Sequence, residues 1–321
     1  MTEIVAADIG GTHARFAIAR IDGNRVTALG DPMTLKTAEH ASLQTAWETF
    51  AAALGRELPG AAGIAIAAPV KGETLKLTNN PWTIWPAELA RTLGLDRLAL
   101  VNDFGAVAHA VAQLGPEEFR ALCGPEAMPE AGVTSIIGPG TGLGVAQLIR
   151  GGGGYQVIET EGGHIDFAPL DAIDDAILQR LRGRYRRVSV ERLVSGKGLA
   201  NIHEALAAIE GRAVRPGDER ELWRAALSGS DSLAAASLDR FCLSLGSVSG
   251  DIALAQGASA VVIAGGLGLR LAGHLPGSGF AARFVAKGRF ERRMAAIPVK
   301  LIAHPQPGLY GAAAAYAQRY G

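Results

Sequence analysis

Cysteine is nearly absent: Cys123 and Cys242 are the two in a chain of 321 residues. They supply neither a disulfide framework nor the CxxC spacing of a zinc site. An excess of charge of one sign is missing too. Lys plus Arg and Asp plus Glu each number 31, so no global field draws the chain to nucleic acid or to an anionic membrane, and neither is expected as a partner. No apolar run approaches the roughly 18 residues that cross a bilayer. The start carries Glu3 and Asp8 in place of the basic residues and apolar stretch of a secretory leader, which makes the cytoplasm the expected location. What the chain has in excess is glycine, 42 residues against an ordinary share of about 7%. The glycines are aperiodic, which excludes collagen. They cluster beside apolar runs, where glycine serves turns or the close approach of backbone to a ligand. The length suggests about two domains with ample core.

Residues 3–7 form an apolar run ending in Asp8 and Gly10-Gly11, and residues 13–20 alternate with period two, the mark of a strand. The first glycine turn therefore joins two strands. The Walker loop and the dinucleotide fingerprint both need a strand running into a helix, so neither is present here. A helix is predicted over 42–54, strands over 63–68 and 74–77, and a helix over 86–93 with Pro86 in its first turn. A buried strand over 98–101 ends in Asn102-Asp103, and a helix follows over 104–114. From residue 133 the opening pattern recurs: an apolar strand runs into Gly138-Pro-Gly-Thr-Gly-Leu-Gly144 and continues as strand to 149. This is an internal repeat of two α/β units, each opening with a hairpin whose tip faces a common cleft; the repeat alone puts the boundary near residue 113. Residues 151–154 read as a flexible hairpin end. Helices are predicted over 174–182, 198–208, 221–227 and 233–255, a strand over 260–264 leading into Gly265-Gly266 and a helix to 271, a strand over 299–302, and a last helix over 310–320.

The turn Asp8-Ile-Gly-Gly-Thr12 suits phosphate: glycine amides form an anion nest, the Thr12 hydroxyl adds a donor, and Asp8 can hold Mg²⁺ through water. An ordinary glycine hairpin has the same look, but the second turn changes the balance, since two such tips facing each other make a phosphate clamp. Asn102-Asp103 stands at a strand end, where open α/β sheets bind ligands. Asp103 there serves either as a helix cap or in chemistry, and its two oxygens allow both. Glu161 and His164, three residues apart in a turn-rich loop, can bracket two neighbouring sugar hydroxyls. Glu191 by itself reads as a solvated carboxylate at a helix start. Gly265-Gly266 suits the flat approach of an adenine and ribose. The arginines at 180, 182, 184, 186, 187 and 192 lack aromatic interleaving or a helix-turn-helix, so they read as a solvated face.

Together these segments resemble the bacterial hexokinase-type glucokinases of the actin–hexokinase superfamily, and the likeness runs from the first strand to the last helix. Asp8-Ile-Gly-Gly-Thr12 is similar to that family's first phosphate loop and residues 138–144 to its second. Val101-Asn102-Asp103-Phe104 resembles the strand end with the catalytic aspartate. Residues 161–169 and 190–196 resemble the sugar-binding segments, Ile263-Ala-Gly-Gly266 the adenosine-side turn, and Gly311-Ala-Ala-Ala-Ala the closing helix. Two departures stand out: His13 where the family usually has Asn, and Lys197 where it often has Pro. No cysteine lies between Cys123 and Cys242, which argues against the related repressor–kinase group and its zinc motif.

The resemblance implies a two-domain actin-like, ribonuclease H-like α/β fold with a ligand cleft between domains. The small α/β domain would comprise 1–113 plus 304–321, and the large α+β domain 114–303. It implies an ATP- and Mg²⁺-dependent kinase that phosphorylates glucose at C6, with a homodimer expected. Asp103 would be the catalytic base. Asn102, Asp103, Glu161, His164 and Glu191 would bind the sugar. Ala7, Asp8, Ile9, Gly10, Gly11, Thr12, Gly140, Thr141, Gly142, Gly265 and Gly266 would line the nucleotide, with Asp8 toward the metal through water. An ordinary Asp has a pKa near 3.9, so proton transfer is expected late along the reaction. Alternatives are another hexose kinase on the same scaffold and a non-catalytic sugar-binding regulator.

Overall fold

Period-two alternation in the first strand decides which side chains face which layer. In β1 (Thr2–Ile9), Val5, Ala7 and Ile9 are buried in one core while Ile4 and Ala6 are buried in another on the opposite face. A strand covered on both faces reads as a nearly continuous apolar run. The computed structural model of the chain describes residues 1–77, 80–213 and 218–321. It divides into two units: Met1–Glu118 with Val157–Glu159 and His304–Gly321, and Phe119–Gln156 with Thr160–Ala303.

In the first unit β1 continues through a tight turn into antiparallel β2 (His13–Asp22), followed by the polar edge strands β3 (Arg25–Leu29) and β4 (Met33–Lys36). Helix α1 (Leu43–Leu54) starts at a Ser42–Thr45 capping box. Then come β5 (Ala61–Ile66), the two-residue strands β6 (Leu75–Lys76) and β7 (Thr83–Ile84), α2 (Pro86–Thr92), β8 (Arg97–Asn102) and α3 (Asp103–Gln113). The sheet order is β3-β2-β1-β5-β8, with β4 beside β2, and β5 and β8 run parallel to β1. On the α1 face Phe16 stacks on Phe50 at 5.4 Å and meets Trp47 edge-on at 6.1 Å. Burying such a ring contributes about 2–3 kcal/mol.

The other face carries the C-terminal helix, Pro307–Tyr320, whose run of alanines is fully buried. Small residues let this helix approach closely. A Cβ on Gly311 would collide with the Ala106 carbonyl of α3, so α3, and with it Asp103, is seated directly on that helix.

The second unit repeats the plan. After β9 (Phe119–Cys123), β10 (Gly132–Pro139) and antiparallel β11 (Leu143–Gly151) form its hairpin, and β12 (Gly154–Thr160) follows. Helices α4 (Ala172–Tyr185), α5 (Gly196–Ile209), α6 (Glu219–Ser228) and α7 (Ser232–Gln256) precede β13 (Ala260–Ile263), α8 (Gly265–Arg270), α9 (Phe280–Val285), α10 (Glu291–Ala295) and β14 (Val299–Ile302). The sheet order is β12-β11-β10-β13-β14-β9, with β10, β13 and β14 parallel. Each sheet thus has a hairpin whose first strand is followed by two parallel neighbours. The sequence reading missed β3, β4, β7, β9, β12, α9 and α10. These are short or polar edge elements, and α9 and α10 have no side-chain cap to announce them. No helix among the described residues is long and apolar enough to cross a membrane.

Candidate active site

The first glycine turn is held by a residue far from it in sequence. Buried Thr37 donates its hydroxyl to the Gly11 carbonyl at 2.8 Å and its N–H to the Thr12 carbonyl at 3.1 Å. A trans peptide points its N–H opposite its C=O, so fixing the Gly11 carbonyl aims the Thr12 amide away from Thr37. Ala7 and Ile9 have no exposed surface. They support the turn from beneath, while Gly10 donates to the His13 carbonyl at 2.9 Å. His13 itself opens β2 opposite Lys36 of β4.

By strand parity Asp8 shares the face of Ile4 and Ala6, toward the C-terminal helix. A Cβ on Gly308, in the first turn of that helix, would lie 2.8 Å from the Asp8 carboxylate. Arg15 donates to Asp8 Oδ2 at 3.3 Å. Burial raises the Asp8 pKa above the usual range, opposed by the Arg15 charge and hydrogen bond.

At the end of β8 the structure separates the two roles that the sequence left to Asp103. Asn102 is the helix cap: its Oδ1 accepts from Phe104 N–H at 2.9 Å and Gly105 N–H at 3.4 Å. Its amide donates to the Ala68 carbonyl at 3.3 Å, and its backbone N–H donates to Glu159 at 2.7 Å. Asp103 is the first helical residue, its Oδ1 accepting from Phe104 N–H at 2.9 Å. Burial, then the negative charge of Asp8, pushes the Asp103 carboxyl up to about 6, against hydrogen bonds from Phe104, Asn102 and its own backbone. Two desolvated carboxyls, one of them raised further by the charge of the other, are a setting that a divalent cation relieves. Among the described residues no three His, Cys, Asp or Glu side chains gather as a metal cage. A donor set of one or two carboxylates fits Mg²⁺, which keeps several waters and takes phosphate oxygens.

The second unit treats its own turn in the same way. The Gly140 carbonyl accepts from Gly196 N–H, the first residue of α5, at 2.7 Å, and Gly140 N–H donates to Gly142 O at 2.8 Å. The Thr141 amide is therefore aimed away from Gly196, as that of Thr12 is aimed away from Thr37. Glu191 accepts from Leu143 N–H at 3.1 Å and packs on Gly142. Gly163 lies so close to the Leu143 carbonyl that a Cβ would collide with it. One residue at the turn thus gathers Glu191 on its N–H side and the Glu161–His164 turn on its carbonyl side. Glu161 and His164 face each other at 3.9 Å, both largely exposed.

The segments carrying these groups are paired by Val190 N–H to Ile165 O at 2.9 Å and Phe167 N–H to Val188 O at 3.0 Å. On the adenosine-side turn Gly265 takes φ +82°, which glycine adopts without strain, and rests against Pro139, where a Cβ would lie 2.7 Å from the carbonyl. Ala264 N–H donates to Ile137 O at 2.8 Å. Gly265 and Gly266 are thereby brought to the base of the second glycine turn. The functional neighbours missed from sequence are Arg15, Thr37, Glu159, Gly308 and Arg187. Arg15 faces Asp8 directly across the β1–β2 hairpin, a pairing that the hairpin register could have signalled; the others act across longer stretches of the fold, where no local spacing announces them.

Comparison with known proteins agrees with this constellation. The glucokinase family model matches residues 5–319. A glucokinase of Zymomonas mobilis is 65% identical over 319 residues, covering 99% of this chain and 98% of that protein. One from Paramagnetospirillum magneticum is 40% identical, with 97% and 96% covered. The crystal structure of a glucokinase from an Antarctic psychrotroph superposes with a TM-score of 0.86 at 33% identity, covering 98% of both chains.

Proposed function

The chain belongs to the glucokinase family, and from that premise we propose that it transfers the γ-phosphoryl group of ATP to the 6-hydroxyl of glucose with Asp103 as the base. The observation that carries the assignment is the Asp103 carboxyl, fixed at the end of β8 and raised to about 6 by burial and by Asp8. Such a group is still largely ionised at neutral pH, yet it takes a proton far more readily than an ordinary aspartate, the compromise a general base needs. Its Oδ1 is held by Phe104 N–H, so Oδ2 is the oxygen for chemistry. As the sugar oxygen bonds to phosphorus and the bond to ADP breaks, the hydroxyl proton passes to Asp103, giving glucose 6-phosphate and ADP.

The Thr12 and Thr141 amides, with Gly10, Gly11, Gly140 and Gly142, take the phosphates, and Gly265 and Gly266 lie along the adenosine. Ala7 and Ile9 hold the first turn rather than touch the nucleotide, since they are fully buried. Asp8 would hold Mg²⁺ through water, and the ion would there neutralise phosphate charge. Glu161, His164, Glu191 and the remaining amide N–H of Asn102 read the sugar hydroxyls. The reading places the chain in the actin–hexokinase superfamily, with domains 1–113 plus 304–321 and 114–303 and a ligand cleft. It also includes a homodimer in the cytoplasm at the entry to glycolysis, without nucleic-acid or membrane partners. A coupled assay of several hexoses against ATP, ADP and polyphosphate tests it. Glucose with ATP should give the highest kcat/KM; a higher value for another hexose or donor would overturn the assignment.

A further inference from the structure

Arg186 is the one non-glycine residue at positive φ among those described, at φ 59° and ψ −61°. It is the centre of a γ-turn closed by Arg187 N–H to Tyr185 O at 2.6 Å, a conformation that is rare and strained for an L-residue. The turn follows α4 and points the next side chain, Arg187, back along the chain. The Arg187 guanidinium donates through Nη2 to the His164 carbonyl at 2.7 Å and pairs through Nε with the Asp166 carboxylate at 2.7 Å. A planar fork of this kind fixes two acceptors at once. Residues on either side continue the contact as backbone pairing, with a bridge between Asp166 and Ser189 and the bonds at Ile165 and Phe167.

From this geometry we infer that Arg187 is a positioning residue for sugar recognition. Gripping the His164 carbonyl, it sets the spacing between the Glu161–His164 turn and Glu191. It touches no substrate. It fixes the backbone from which the His164 imidazole projects, and the γ-turn at Arg186 is the local strain that aims it. An exposed ion pair such as Arg187–Asp166 adds little stability, so the effect belongs in recognition rather than in folding. Arg187 stands in the basic run that the sequence suggested was only a solvated face.

The inference rests on the sugar-site reading, and the test keeps the two apart. Arg187→Ala, Arg187→Lys, Glu161→Ala and His164→Ala are assayed for glucose KM, ATP KM, kcat and thermal midpoint, with each singly deoxygenated glucose as competing ligand. Arg187→Ala should raise glucose KM about five- to tenfold with ATP KM and kcat within about twofold. Its discrimination should weaken at the two neighbouring hydroxyls that Glu161→Ala and His164→Ala affect, and hold at the others. Arg187→Lys, with its charge but no fork, should recover only part of the loss. A wild-type glucose KM in Arg187→Ala alongside a raised one in His164→Ala would overturn the role of Arg187 alone. Unchanged glucose KM in both would instead remove the sugar-site reading. Equal rises in both KM values with a lowered midpoint would make Arg187 merely structural.

Discussion

Asp8 and Asp103 in the first unit lie where burial dominates their chemistry, whereas Glu161 and His164 in the second have side chains 66% and 58% exposed. Asp8 leads into one glycine turn, and Gly163, between Glu161 and His164, lies against Leu143 at the end of the other. The difference is in what the fold supplies beforehand. In the first unit desolvation has already shifted the acid toward base strength suited to neutral pH. In the second the polar atoms are still hydrated, so their hydrogen bonds become strong only once a ligand replaces water. On the proposed reading, the chemical group is preorganised in the first unit, while the recognition groups of the second are completed by the substrate.

The largest way to break this contrast is Asp103→Asn. It should lower kcat by about 10²–10⁴, the usual worth of a general base, while glucose still binds in a calorimetric titration. Near-normal turnover would remove Asp103 from the chemistry. Glu161→Ala or His164→Ala should act on binding instead. Each leaves sugar hydroxyls or protein partners unpaired at about 1–3 kcal/mol, raising glucose KM by about five- to 150-fold with little change in ATP KM. Equal effects on both ligands would mark these side chains as structural.

A smaller effect concerns stability, at a charged network in the second unit that joins α4, α7 and α9. Asp171 caps α4 and is shared by Arg240, at 2.7 Å, and by Arg283. Burial pushes its pKa up, but the Asp174 N–H and the two guanidiniums outweigh that and hold it at about 2. A depressed carboxyl stabilises the fold above its unfolded value of about 4, and that stability is lost as pH falls toward 2. Since Asp171 is about a third exposed, the contribution is discounted to about 1–2 kcal/mol. Acid denaturation followed by circular dichroism should therefore show a loss between pH 4 and 2 that Asp171→Ala lacks.

Much of the frame was legible in the sequence. Period-two runs and glycine turns marked both hairpins, and the buried strand ending in Asn102-Asp103 marked the start of α3. What stayed hidden was set by contacts across the fold. Nothing local announces that Thr37 holds the Gly11 carbonyl, that Gly308 lies against Asp8, or that Glu159 receives the Asn102 N–H. The expectation of an ordinary aspartate failed for the same reason. The Asp103 shift comes from burial and from Asp8, 95 positions earlier in the chain by their numbers. A base near 6 still lies far below an alcohol, so the proton is passed late, although the step is less uphill than for one near 4.

That shift can be measured through the pH dependence of kcat/KM for glucose, in the native chain and in Asp8→Asn. A raised carboxyl must lose its proton to act, so activity should fall as pH drops through an apparent value of about 6. Removing the Asp8 charge should move this limb to lower pH. A native limb near 4, or a limb near 6 that Asp8→Asn leaves in place, would contradict an Asp103 base tuned by burial and its acidic neighbour.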